Sequence, residues 1–169
     1  QIPNLTTSFG AQAATISLWT KLNIATPTVG ALTGFINLGN GGGTTHYPWT
    51  DATSYQSTFR ATNRVDGIAL QAGIDRTQWH LVTIVNDPTD ATTGWRMYQN
   101  GTLIRTAAPQ FAISGFQIGQ QSNTYLNGSV DEVRLYNRAL SAAEIQGIFA
   151  YTTAANSIPD NSAVVVANG

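Results

Sequence analysis

The acid–base inventory of this chain is small. Its 169 residues hold nine carboxylates, two histidines (His46 and His80) and no cysteine. Only Glu132 and Glu144 are glutamates. Glycoside hydrolysis needs two carboxyl groups set close together around one bond. Asp131 and Glu132 are adjacent, and neighbours on an extended strand point to opposite faces. Glu144 closes Ser141-Ala142-Ala143-Glu144, the spacing of a helix capping box, and so has a structural use. His80 lies inside an apolar run, where a satisfied structural role is expected. No nucleophile elbow, zinc-protease pair or phosphate loop occurs. Without cysteine there is neither a disulfide scaffold nor a thiolate metal site. These residues are expected to bind, not to catalyse.

The richest binding stretch is Thr44-Thr45-His46-Tyr47-Pro48-Trp49-Thr50-Asp51, followed by Tyr55. Sugars are held by aromatic rings against their C–H faces, with amides and carboxylates fixing the hydroxyls. His46, Tyr47, Trp49, Asp51 and Tyr55 supply that mixture on what reads as a loop, and proline stiffens it, which lowers the entropy lost on binding. Trp95 and Tyr125 flank other loops and join the candidates. The competing reading makes Trp49 a plug at the end of the fold, with Tyr47 packed beneath the loop. Trp19 and Trp79 fall inside strand-like runs and are expected in the core. Arg60 and Arg64 read as solvated surface. Asn4, Asn100 and Asn127 each open an Asn-x-Ser/Thr sequon; in two of them an Asn-Gly turn explains the residues without glycosylation.

Composition narrows the partner. Charged residues are 10% of the chain, the formal net charge is −1 and Lys21 is the single lysine. A nucleic-acid partner would need a basic footprint, which is lacking. No apolar run reaches membrane-spanning length, so no membrane insertion is expected. A surface of uncharged polar groups suits an extracellular, cell-surface or virion-surface setting. The chain opens at Gln1-Ile2-Pro3 with no signal peptide, as a processed product or a piece of a longer protein would.

The elements that must position these residues are mostly strands. Ala14 to Leu22 alternates, with Ile16, Leu18 and Leu22 on one face and Thr15, Ser17, Trp19 and Lys21 on the other. Gly34–Leu38 predicts a second strand, and residues 44–54 a loop. Tyr55–Thr62 and Gly67–Ala72 predict a pair joined near 63–66. Trp79–Asn86 is nearly continuous apolar sequence, expected to be buried on both faces. Trp95–Gln99 and Thr102–Thr106 flank Asn100-Gly101, the strongest short hairpin signal. Phe116–Gly119 and Gly128–Tyr136 follow. In the last, Val130, Val133 and Leu135 break strict alternation, which predicts a bulge or burial on both faces. After the capping box, Ile145, Ile148 and Phe149 form the apolar stripe of one helix, expected to end near Tyr151.

Two of these stretches carry a resemblance. Gln78-Trp79-His80-Leu81-Val82-Thr83-Ile84-Val85 is similar to the Gln-Trp-His-His-Val strand of laminin-G-like (concanavalin A-like lectin) jelly-roll domains. Gly128 through Ile145, with Asp131-Glu132-Val133-Arg134 and Arg138-Ala139-Leu140-Ser141 at its centre, resembles that family's C-terminal signature almost residue for residue. Ile16–Lys21 and Trp95–Leu103 resemble two further strands, in the same order. The resemblance implies an all-β fold: an antiparallel two-sheet jelly-roll β-sandwich with one short C-terminal helix packed at one end. It divides the chain into a domain over 1–151 and a tail over 152–169 with one possible strand at 163–167.

The family binds glycans or surface proteins, and some members are only structural. A non-catalytic binding module, for carbohydrate recognition or adhesion, is therefore expected. The alternative is a structural assembly subunit, such as a virion decoration, fibre or filament protein. Most of the family's first strand is missing before Ile16. Either the 163–167 run or a strand donated by a neighbouring subunit would fill that gap. The resemblance also makes Asp131 a possible ligand of a structural calcium. The competing and favoured reading is that Asp131 caps a turn or pairs with Arg134.

Overall fold

The computed structural model describes the backbone of residues 13–24, 36–37, 45–48, 54–59, 63–69, 71–109, 117–121 and 124–156. Its strands are β1 (Ala14–Leu22), β2 (Ile36–Asn37), β3 (Thr45–Pro48), β4 (Ser54–Phe59), β5 (Asn63–Ala69), β6 (His80–Asn86), β7 (Trp95–Gln99), β8 (Thr102–Ala107), β9 (Gln117–Ile118), β10 (Gln120–Gln121), β11 (Thr124–Tyr125) and β12 (Gly128–Tyr136). One antiparallel sheet runs β12-β1-β6-β7-β8, and a second runs β5-β4-β3-β2-β9. These are the two layers of a jelly-roll β-sandwich. Two expectations change. Residues 45–48 form a strand, not loop, and the β4–β5 connection falls at 60–62, because Phe59 pairs with Asn63.

The central strands of the first sheet, β1, β6 and β7, are buried on both faces. Strand alternation puts Ile16, Leu18, Val82, Ile84, Trp95 and Met97 on its inner face, in one buried cluster. Each such side chain contributes roughly 1.5–3 kcal/mol. On the outer face the register aligns Ser17 with Thr83 and Thr83 with Tyr98. The Ser17 and Thr83 hydroxyls bond to each other at 3.0 Å, which satisfies two polar groups that could not otherwise be buried cheaply. All seven residues of β6 are buried, as its nearly continuous apolar sequence predicts.

What covers the outer face is helix α1 (Ala142–Asn156). It lies across the sheet, where the resemblance implied a position at one end. Ile145, with Leu140 just ahead of the helix, packs on Val85 and Tyr98, and Phe149 stacks on Trp19 with ring centroids 6.1 Å apart. The capping box forms as expected. The Ser141 N–H donates to Glu144 Oε2 at 2.8 Å, and the Glu144 N–H donates to Ser141 Oγ at 3.3 Å. Arg138 adds a bond to Glu144 Oε1 at 2.6 Å. The helix runs to Asn156, past the expected end at Tyr151, so the expected domain limit falls inside it. Thr152 and Thr153 are not breakers here, because their hydroxyls bond to the Ile148 and Phe149 carbonyls, both at 2.8 Å. Residues 1–12, where what remains of the first strand would fall, and 157–169, with the 163–167 run, lie outside the described residues.

Two local devices hold the sheet in register. The β7–β8 turn is Asn100-Gly101, with φ of 46° and 78° and Gln99 paired to Thr102, the geometry that matches strand twist in a two-residue hairpin. On β12 the register shifts opposite Ser17 to Trp19, and Glu132 takes φ 47°. This is the bulge that the broken alternation predicts. It brings Val130, Val133 and Leu135 all onto the inner cluster.

Candidate functional site

The backbone places three of the seven sequence-derived candidates on one hairpin. His46 and Tyr47 are consecutive on β3, and Tyr55 is on β4, paired with Pro48. The 49–53 connection between them carries Trp49 and Asp51, which lie outside the described residues. Tyr125 sits on β11, paired with Gln120 of β10. That short ribbon lies against β2, the neighbour of β3. Arg64 is on β5 opposite Thr58, and Arg60 lies outside the described residues.

Two tryptophans are placed differently from expectation. Trp95, a ligand candidate, is 0% exposed within the inner cluster. It follows a loop, yet it shares strand parity with Met97, so it is a core residue and cannot meet a ligand. Trp79, expected in the core, is 42% exposed. It precedes β6 by one residue, where the parity that sends His80 inward turns Trp79 to the outer face.

Asp131 serves the bulge. Its Oδ1 accepts the Glu132 N–H at 2.7 Å, which is the turn-capping role. The expected ion pair to Arg134 is replaced by one between Arg134 and Glu132, because the bulge brings those two side chains together. Among the described residues no three of His, Cys, Asp and Glu cluster.

Two further carboxylates among the described residues, Asp87 and Asp90, are occupied locally. Asp87 accepts the Thr89 hydroxyl at 2.6 Å and its N–H at 3.1 Å. Asp90 accepts N–H groups from Thr92 and Thr93 at 3.1 and 2.9 Å. Arg96 reaches Asp87 at 3.4 Å and Asp90 at 3.7 Å. These bonds hold both carboxyls below the usual carboxylate range, the Thr89 and Thr93 hydroxyls being the largest causes. Fixed, ionised carboxylates of this kind shape a loop and are poor proton donors. His80 is buried, with Nδ1 3.0 Å from the Gln78 carbonyl. Burial lowers its pKa, so it is held neutral and structural, as expected. Of the sequon residues, Asn100 uses its side-chain oxygen on the Leu81 N–H at 2.9 Å, and Asn127 accepts the Asn23 amide at 2.8 Å.

The Trp79 environment was not anticipated. Lys21 Nζ lies 5.1 Å from the Trp79 ring centroid, and among the described residues no carboxylate pairs with it. One member of the pair stood out in the sequence, since Lys21 alternates with the core positions of β1 and is the single lysine of the chain; its partner did not.

A model of the concanavalin A-like lectin/glucanases superfamily matches residues 1–146. A search of curated protein sequences finds no match. Among solved structures, the chain is similar to the botulinum neurotoxin serotype D/C VPI 5993 binding domain, with TM-score 0.63 and 17% identity over 89% of this chain and 39% of that one. It is also similar to domain 4 of AbnA, an extracellular GH43 arabinanase from Geobacillus stearothermophilus solved with arabinotriose, with TM-score 0.61 and 18% identity over 83% of this chain and 67% of that one. A third similarity is to Trypanosoma rangeli sialidase, with TM-score 0.62 and 14% identity over 85% of this chain and 23% of that one. At these identities the likeness speaks for the fold, and the chain spans well under half of the neurotoxin and sialidase chains. The family match over most of the sequence and the two-layer jelly roll agree: this chain belongs to the concanavalin A-like lectin/glucanases superfamily.

Proposed function

We propose that the chain is a non-catalytic carbohydrate-recognition module that acts in a secreted or surface setting. The observation that carries this reading is the gathering of His46, Tyr47 and Tyr55 on the β3–β4 hairpin, whose connection holds Trp49 and Asp51. Aromatic rings and a carboxylate on one short hairpin are what an uncharged oligosaccharide requires. A hairpin set in a five-stranded sheet loses little freedom when the ligand arrives. Two structural likenesses lend support: domain 4 of AbnA was solved with arabinotriose, and a related neurotoxin study names interaction with two ganglioside molecules. No enzyme is proposed, since the described carboxylates are spent on turns, the bulge and the helix cap.

The test is a glycan array followed by calorimetry. The wild-type chain should select a neutral oligosaccharide, and Trp49→Ala should weaken that binding by about tenfold, the effect of losing one central aromatic anchor. Binding indifferent to Trp49→Ala would remove the hairpin from the reading. The assembly alternative rests on β8, an edge strand with Leu103 exposed. Light scattering behind size exclusion separates the two readings, since a binding module runs near its chain mass of 18.0 kDa and an assembly subunit does not.

A further inference from the structure

We infer a second binding site on the opposite sheet, at Trp79 and Lys21, for a sugar that carries a carboxylate. It stands independently of the β3–β4 site.

Trp79 is the only tryptophan among the described residues that is exposed. What sets this ring apart is the cation held beside it, since Lys21 Nζ lies 5.1 Å from its centroid. The Trp79 backbone is fixed from below. Asp75 Oδ1 accepts both the N–H and the hydroxyl of Thr77 at 2.8 Å. The Gln78 N–H donates to the Asp75 carbonyl at 3.0 Å, and the Leu22 N–H donates to the Arg76 carbonyl at 2.7 Å. The ring is thus carried by a closed turn that is tied to the end of β1, and little freedom remains to be lost on binding.

Helix α1 covers the outer face over Trp19, through Phe149, and leaves Trp79 open. The cation beside it is held without a counter-ion, because Lys21 touches the indole and no carboxylate among the described residues. An ammonium at an aromatic face retains its full charge for a ligand. Just past Lys21, Asn23 and Asn127 form an exposed amide pair through both backbone and side chain, at 3.0 and 2.8 Å. Gly128 lets the two strands close there, since a Cβ at that position would lie 2.2 Å from the Lys21 carbonyl. One end of the first sheet therefore presents an aromatic plane, a cation and two fixed amides. Those groups match the C–H face, the carboxylate and the hydroxyls of an acidic pyranose. Asp131, opposite Trp19 on β12, bounds the site with like charge and orients the ligand's carboxylate toward Lys21.

The probes are 3′-sialyllactose against lactose, and trigalacturonic acid against its methyl ester, titrated into the full chain while the Trp79 indole N–H is followed by NMR. At least one acid should shift that signal, its neutral counterpart should not, and the affinity should fall with added salt. Which acid binds tells a sialic from a uronic acid. Lys21→Gln should weaken binding by about tenfold, Trp79→Ala should abolish it, and Lys21→Arg should largely preserve it. Trp49→Ala should leave it unchanged. Lys21 is only partly buried, and a thermal scan verifies that its variants keep the fold. The inference is overturned if neither acid binds, if the neutral partners bind equally, if Lys21→Gln has no effect, or if Trp49→Ala removes the acid binding. Loss of neutral-glycan binding in Trp49→Ala bears only on the hairpin site.

Discussion

The side-chain oxygen of Asn100 accepts the Leu81 N–H at 2.9 Å, and the Asn100 N–H returns a bond of 2.9 Å to the Leu81 carbonyl. A turn residue thus pairs with the central strand as though it extended β7. On its other side the Gly101 carbonyl accepts Gln146 Nε2 of helix α1 at 2.7 Å. The Asn-Gly turn therefore joins sheet to helix. Asn100→Ala should cost about 1–3 kcal/mol, through a lost bond and an unfavourable positive φ. Asn100→Gly keeps the φ and should cost less. Urea unfolding of both variants checks the order, and equal stability would mean that the bond to Leu81 contributes nothing.

Ile145 should anchor the helix on the sheet. It is fully buried against Val85 and Tyr98, so Ile145→Ala should cost about 2–5 kcal/mol. Solvent-facing Gln146→Ala should cost much less. Thermal unfolding followed by tryptophan fluorescence reads both, because Trp19 lies under Phe149.

Acid should loosen the helix cap. Glu144 titrates at about 2, below its ordinary 4.5, first because of Arg138 and then because of the Ser141 N–H and hydroxyl. A depressed carboxylate gives stability that is present above the unfolded value and lost as pH falls through the folded one. The loss belongs to the window between about 4.5 and about 2. Glu144→Gln should flatten the melting temperature across that window and lower it at neutral pH.

His80 should add a second slope at milder acidity. Burial lowers its pKa from 6.5, so below that value the unfolded chain takes up the proton more readily. Stability is complete above 6.5 and declines as pH falls toward the folded value. His80→Asn should remove the dependence while lowering stability at pH 8. A melting curve as steep between pH 7 and 5 in the variant as in the wild type would remove His80 as the source of that slope.

Asp131 should act as a bulge cap. The melting temperature should be the same in EDTA and in millimolar calcium, and Asp131→Asn, which keeps an oxygen acceptor, should cost less than Asp131→Ala. A calcium-dependent rise that vanishes in Asp131→Ala would make Asp131 a calcium ligand instead.

Much of this was written locally in the chain. The capping box, the Asn-Gly turn and the β12 bulge each depend on a few consecutive residues, and each was legible. The alternation of β1 also gave the correct faces for Ile16 and Trp19. What failed required knowing what lies above a face. Trp79 looks apolar and central, but helix α1 ends its cover before reaching it. Trp95 looks peripheral because a loop precedes it, while its parity with Met97 sends it inward. The aromatic stretch at 45–48 read as loop through its proline, yet proline is tolerated at a strand end. The β3–β4 candidates were legible as a group, since they are close in sequence. The Lys21–Trp79 pair joins residues far apart in the chain and appears only when β1 meets β6.

The bulge at Glu132 has a colloidal consequence. A chain with 10% charged residues has little electrostatic repulsion to keep its copies apart in solution. Its longest edge strand, β12, would be a template for unwanted growth if it were flat. The kink at Glu132 breaks that template midway, and Asp131, Glu132 and Arg134 place a fixed cluster of charge at the same point. Straightening the kink would open that edge to pairing with further copies, with no change in what the core contains.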